Sequence, residues 1–114
     1  MAITVSAEQK KILQSVIIEN GIVKQSLIYL EELDELGQRI SKAARGKLNK
    51  DNLIEEIADV YNVITQLKMF YDIKDKDIQN RLDYKIKRTA NDMQLEAIKR
   101  LKFSEGRRCE NTGH

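Results

Sequence analysis

The sequence predicts an all-α protein, an antiparallel four-helix bundle that is completed by self-association. Its 114 residues include no proline and only five glycines, so few positions interrupt a helix. The stretches between the glycines are rich in Leu, Ile, Lys, Glu, Gln and Ala, which are good helix formers or common in helices. A chain of this length holds one modest hydrophobic core. We therefore expect a single helical domain over residues 1–103.

The helix boundaries follow from local capping signals. Ser6 and Gln9 form a capping box that starts a first helix, and Gly21 either ends this helix or only kinks it. Gly46 ends the second helix in the same way. The predicted helices are Ala7–Glu19, Ile22–Ala44, a third from an N-cap at Asp51 or Asn52 to Phe70 or Tyr71, and a fourth from an N-cap at Asp75 to about Lys102. Residues 104–114 lack a periodic apolar pattern, so we expect a disordered tail there.

Composition excludes several classes of protein. No run of apolar residues approaches the roughly 20 that a membrane span needs. The N-terminus also lacks the charged and then apolar order of a signal peptide, so a cytoplasmic location is expected. A single histidine, His114, leaves no basis for a histidine zinc site or a Ser-His-Asp triad. A single cysteine, Cys109, forms no internal disulfide.

Charge is distributed unevenly along the chain although the net charge is only +2. Residues 1–73 contain 9 Lys and Arg against 11 Asp and Glu, whereas residues 74–114 contain 11 against 7. An acidic half and a basic half suit a ligand that needs both a metal ion and cationic partners, such as a nucleoside triphosphate. Attraction between the two halves of a helical bundle is the alternative explanation.

Two predicted helices each carry carboxylates one turn apart. These are Glu32 and Glu35 in the sequence EELDE, and Glu56 and Asp59 in EEIAD. Residues three apart are neighbours on a helix surface, so the members of each pair repel unless a cation, a salt bridge or water compensates them. If the two helices pack side by side, four carboxylates surround one small volume, which suits Mg²⁺. The alternative for both pairs is a solvated or salt-bridged helix face.

The surroundings of the two pairs differ. In the third helix, Val60, Val63, Leu67 and Phe70 project in the direction of Glu56, so this carboxylate lies at the head of an apolar stripe. In the second helix, Glu32 lies at the edge of the apolar face, and Glu35 lies further round. Burial is therefore expected more strongly for the EEIAD group.

The third helix has a second apolar row beside the first. It consists of Ile54, Ile57, Tyr61 and Ile64. Together the two rows cover more of the circumference than one neighbouring helix buries, which indicates a homo-oligomer, either a dimer or a tetramer.

Taken together, these motifs resemble the MazG-type all-α nucleoside triphosphate pyrophosphohydrolases, especially the short single-domain form found in phages and Gram-positive bacteria. The resemblance rests on ExxE at Glu32–Glu35 followed by ExxD at Glu56–Asp59. It extends to ILQSVIIENGIVKQSLIYLEELDEL before the loop, NLIEEIADVYNVITQLKMFYDI after it, and IQNRLDYKIKRT near the end. The similarity covers roughly residues 10–92.

The resemblance implies a hydrolase that cleaves a nucleoside triphosphate between the α and β phosphates, as part of nucleotide house-cleaning. By that analogy, the carboxylates of Glu32, Glu35, Glu56 and Asp59 are the catalytic residues and hold Mg²⁺, for which Mn²⁺ is a possible substitute. Charge neutralisation, an oriented water and a stabilised leaving group are what such a reaction needs, and Mg²⁺ supplies them. The general base is one of these four acids or a neighbouring one, Glu31 or Glu55, and the sequence does not decide which.

The resemblance also implies phosphate-binding cations on the fourth helix. Lys85 with Arg88 is the nearest match to the pair of basic residues in that family. The family spacing is often four instead of three, so Arg81 with Lys85 is a competing pair. Solvated basic residues on an exposed helix face are the alternative for all three.

Two other functions compete with the enzyme. A non-enzymatic helical protein-interaction module would use the apolar surplus to bind a partner, and its acids would be surface charge. A nucleic-acid binder would use residues 81–102, but Asp83, Asp92 and Glu96 interrupt that basic face. We therefore expect neither nucleic acid nor membrane as a partner.

Overall fold

The all-α prediction is confirmed. The computed structural model describes the backbone of residues 2–110 and the side chains of residues 2–102. This part of the chain contains four helices and no strand. The helices are α1 (Ala7–Asn20), α2 (Ile22–Ala44), α3 (Lys50–Phe70) and α4 (Asp75–Glu110). The chain divides into two compact units, Met1–Ile73 and Lys74–His114, and each is described by itself.

The first two helices begin and end as the capping signals predict. The Ser6 hydroxyl accepts a hydrogen bond of 3.1 Å from the Gln9 amide, and the Gln9 side chain accepts one of 2.9 Å from the Ser6 amide. Gly21 separates α1 from α2 with φ +80°, a conformation that side chains with a Cβ rarely adopt. Gly46 has the same φ, and the Lys47 amide donates to the Lys42 carbonyl. This hydrogen bond is typical of a Schellman C-cap.

The third helix starts earlier than predicted. Asn49 is the N-cap, and its side chain accepts a hydrogen bond of 3.1 Å from the Asn52 amide. The prediction of Asp51 or Asn52 at that position is wrong, because Asn49 precedes both and satisfies the amide of Asn52 itself. At the other end, the Ile73 amide donates to the Lys68 carbonyl across Asp72, which has φ +52°.

The helices α2 and α3 are antiparallel and pack against each other, and α1 packs against both. Gln25 near the start of α2 contacts Gln66 near the end of α3, which fixes the relative direction of this pair. The buried apolar side chains among the described residues are few, namely Ile17, Tyr29 and Val63. Many large apolar side chains of this unit are exposed instead, and they include Ile54, Ile57, Tyr61 and Ile64.

The second unit contains α4, which begins at Asp75. Asp75 is therefore the first residue of the helix and not its N-cap. The helix continues to Glu110, beyond the predicted end at Lys102, because the intervening sequence contains no proline to stop it. The backbone of residues 104–110, where we expected a tail, is thus helical, and residues 111–114 lie outside the described residues. None of the described helices combines the length and the apolar character that crossing a bilayer requires.

Candidate metal centre

The four predicted carboxylates come together between α2 and α3. Each of Glu32, Glu35, Glu56 and Asp59 offers one carboxylate oxygen, and these oxygens all lie within 4.8 Å of one another. The geometry arises because each pair is spaced by one helical turn and the two helices are antiparallel. Glu31 and Glu55, the alternative general bases, are exposed and do not belong to the cluster.

Two of the four carboxyl groups each have an unsatisfied oxygen. Glu56 is only 8% exposed, although it is charged at neutral pH when isolated. The Oε2 atoms of Glu56 and Glu32 are buried, and neither has a hydrogen-bond partner in the part of the chain that the structure describes. Buried polar atoms without a partner are rare in proteins and call for an explanation, such as an ion.

The proximity of the four carboxyl groups changes how they titrate. The pKa of Glu32 is raised from 4.5 to about 7. Burial is the largest cause, followed by a hydrogen bond with Asp59 and by the negative charges of Asp59, Glu35 and Glu56. The pKa of Glu56 is also raised, first by burial and then by the charge of Glu35. Protonation thus partly relieves the repulsion in the protein without metal.

The donor set fits a hard divalent cation. Carboxylate oxygens are the ligands that Mg²⁺ prefers, and four of them converge here from two rigid helices. The unpartnered oxygens of Glu32 and Glu56 are the atoms that a cation would satisfy. A site composed only of carboxylates, with no sulfur or imidazole, is poorly suited to zinc.

Sequence reasoning missed several polar residues beside this cluster. A network of buried side chains connects α2 to α3 about one to two helical turns from the acids, and it consists of Gln25, Tyr29 and Gln66. Arg39, four residues after Glu35, is close enough that its positive charge lowers the pKa of Glu56. The position of Arg39, four residues after Glu35 and on the same helix face, could have indicated in the sequence that it lies near the acids. Nothing in the sequence indicated burial of the glutamines, because glutamine side chains are usually exposed.

An apolar groove of about 600 Å³ lies on another side of α3. Ile3 and Ile12 line it on one side, and Ile54, Ile57 and Tyr61 line it on the other. The third helix therefore presents acids toward α2 and apolar side chains toward this groove.

The predicted phosphate ligands lie on α4, in the second unit. Arg81, Lys85 and Arg88 are exposed and are spaced by four and three residues, so all three share one face of that helix. The guanidinium of Arg88 lies 6.0 Å from the centre of the Tyr84 ring, within the range of a cation–π contact. Their role toward a substrate stays a prediction.

Comparison of this chain with protein-family models, with curated proteins and with solved structures finds no match. The resemblance to the MazG-type enzymes therefore rests on the motifs of the sequence alone.

Proposed function

We propose that this protein is a Mg²⁺-dependent enzyme that hydrolyses a nucleoside triphosphate to a monophosphate and pyrophosphate. The observation that carries the proposal is the convergence of four carboxylates within 4.8 Å, with a buried Glu56 oxygen that has no hydrogen-bond partner among the described residues. Like charges at this distance destabilise one another unless a cation binds between them. The folded chain thus maintains an arrangement that costs free energy without metal.

In this proposal the four acids, Glu32, Glu35, Glu56 and Asp59, hold the metal ion. Mg²⁺ would supply charge neutralisation of the phosphates and activation of a water molecule. The acids on α2 and those on α3 keep their ligand atoms in place because they project from two packed helices instead of loops. Glu35 is exposed whereas Glu56 is buried, so Glu35 would be better placed than Glu56 to orient a water molecule.

By the resemblance, Arg81, Lys85 and Arg88 of the second unit are candidates for binding the phosphate oxygens of a triphosphate, and this stays a prediction. Of these, the arginines are suited to bidentate contacts with phosphate.

We also propose that the protein is a homo-oligomer, a dimer or a tetramer. Ile54, Ile57, Tyr61 and Ile64 are between 40% and 55% exposed on one helix, and contiguous apolar surface of this kind usually marks an interface. The same observation favours the second candidate function, a non-enzymatic helical protein-interaction module. Such a module has no use for buried, unpartnered carboxylate oxygens, and this is why we rank it second.

A substrate screen tests the enzyme. The purified protein is incubated with canonical and modified nucleoside triphosphates and Mg²⁺, and the release of pyrophosphate is measured against that of orthophosphate. We expect pyrophosphate with at least one substrate, and release that is at least about 100-fold slower from Glu56→Gln. No hydrolysis of any triphosphate, together with a melting temperature that Mg²⁺ and Mn²⁺ leave unchanged, would favour the interaction module.

A further inference from the structure

A buried hydrogen-bond network around Gln66 connects α2 to α3. The Tyr29 hydroxyl donates to Gln66 Oε1 at 2.6 Å, and the Gln25 amide group donates to the same oxygen at 3.1 Å. All three side chains are buried: Gln66 is 6% exposed, Tyr29 is 4% exposed and Gln25 is 3% exposed. Two donors from successive turns of α2 therefore converge on one acceptor of α3.

The network continues at both ends. Asn20, at the end of α1, donates to Gln25 Oε1 at 2.8 Å. On α3, the Gln66 amide group donates to Asn62 Oδ1 at 2.8 Å. All three helices of the first unit thus contribute to one chain of hydrogen bonds, and Gln66 is its centre.

Such a network selects one register between two helices. Apolar contacts tolerate a small sliding of one helix along another, whereas hydrogen bonds weaken steeply when distance and angle change. A shift by one residue moves a helix by about 1.5 Å along its axis and turns its side chains by about 100°. Either change would leave Gln66 and Tyr29 buried without partners, which is costly.

The same register places the carboxylates. Gln25, Tyr29 and Glu32 are spaced by four and three residues, so they lie on one face of α2. Glu56, Asp59, Val63 and Gln66 are spaced by three, four and three residues and lie on one face of α3. The network and the acid cluster are therefore neighbours on the same helix pair, and the hydrogen bonds that align one also align the other.

We propose that Gln66, with Tyr29 and Gln25, is a positioning residue that holds the acid pairs of α2 and α3 opposite each other for metal binding. This inference rests on the proposed function, because it assumes that the cluster binds a divalent cation. Ligand atoms of a metal site have to be held within roughly 0.5 Å of their working positions. Repulsion among four carboxylates acts to separate the two helices at that place, and the network opposes this separation.

The test compares a variant in the network with a matched control on the same helix. Gln66→Met keeps the length of the side chain and removes both cross-helix hydrogen bonds. Thr65→Val is the control, because Thr65 is also buried but its hydroxyl donates to the Tyr61 carbonyl of its own helix at 2.8 Å. Tyr29→Phe, which removes only the hydroxyl, serves as a second network variant if Gln66→Met does not fold.

The measurements are the affinity for Mg²⁺ by titration calorimetry and the urea midpoint of the metal-free protein. We expect the Mg²⁺ affinity of Gln66→Met to fall about tenfold or more, as for residues that orient metal ligands, while Thr65→Val keeps the wild-type affinity. A purely structural role predicts the opposite pattern, in which the urea midpoint falls and the affinity of the folded protein is unchanged, and this result would overturn the inference.

The experiment also separates this inference from the proposed function. If the wild-type protein binds Mg²⁺ and Gln66→Met binds it equally well, only the positioning role is wrong. If the wild-type protein itself does not bind Mg²⁺ or Mn²⁺, the proposed function fails and the positioning role fails with it.

Discussion

The raised pKa of Glu32 makes a direct prediction about stability and pH. In the folded protein this carboxyl group titrates at about 7 and faces Glu35, Glu56 and Asp59, whereas its ordinary value is 4.5. The folded state therefore binds more protons than the unfolded state between these two pH values, so the free energy of unfolding decreases as the pH rises. The stabilisation is fully present below about pH 4.5 and is lost as the pH rises through about 7.

The size of the effect follows from the same values. At about 1.4 kcal/mol per pH unit, the difference between 4.5 and about 7 corresponds to roughly 3 kcal/mol. Glu32 is only partly buried, and solvent screens its neighbours, so we expect about 1–2 kcal/mol. For a chain of 114 residues this is a change of roughly 4–8 °C in melting temperature.

The assay is a series of urea titrations of metal-free protein between pH 4.5 and 8, with chelator present. Glu32→Gln is the control, because it keeps the shape of the side chain and cannot ionise. We expect the free energy of unfolding of the wild-type protein to decrease across this pH window, and that of the variant to decrease less. Equal pH dependence in the two proteins would refute the reasoning, since the slope would then come from other groups. If the cluster binds Mg²⁺ as proposed, saturating Mg²⁺ should make the slope shallower or reverse it, because the cation would bind the ionised form of the cluster.

Three further predictions concern the site, the surface and the fold. Glu56→Gln should lower the rate of triphosphate hydrolysis, measured by pyrophosphate release, at least about 100-fold. The same substitution should leave the metal-free protein as stable as the wild type or slightly more stable. Strong destabilisation without metal would contradict our account of the repulsion among the four acids. Ile57→Lys should shift the protein from oligomer to monomer in sedimentation velocity at micromolar concentration, and a monodisperse wild-type monomer would exclude self-association. Asn49→Ala should lower the free energy of unfolding by about 1 kcal/mol in urea titrations, whereas an effect near zero would show that the Asn52 amide finds another acceptor.

Much of the fold could be predicted from the sequence because its signals are local. The capping box at Ser6 and the glycines at positions 21 and 46 act within one or two helical turns, and the structure has the first two helices almost as predicted. The start of α3 was harder to predict because Asn49, Asp51 and Asn52 are all good N-caps. Capping preferences alone do not rank them, and the structure uses the earliest of the three.

The candidate site could be predicted only in part. The spacing within each acid pair is visible in the sequence, and the apolar stripe beside Glu56 correctly indicates its burial. The meeting of the two pairs depends on the register of α2 against α3, which is a tertiary property. That register involves Gln25 and Gln66, which are separated by 41 residues and whose polar side chains would by themselves suggest exposure.

The protein has two ways to relieve the repulsion in the acid cluster, a proton or a metal ion. A proton on Glu32 requires only a raised pKa, but it satisfies a single carboxyl group and leaves the buried Oε2 of Glu56 without a partner among the described residues. A divalent cation would be attracted by all four carboxylates and would also compensate that oxygen. If α2 and α3 only packed against each other and bound no ion, apolar residues in place of Glu32 and Glu56 would make the fold more stable. This comparison supports our proposal that the cluster binds a cation.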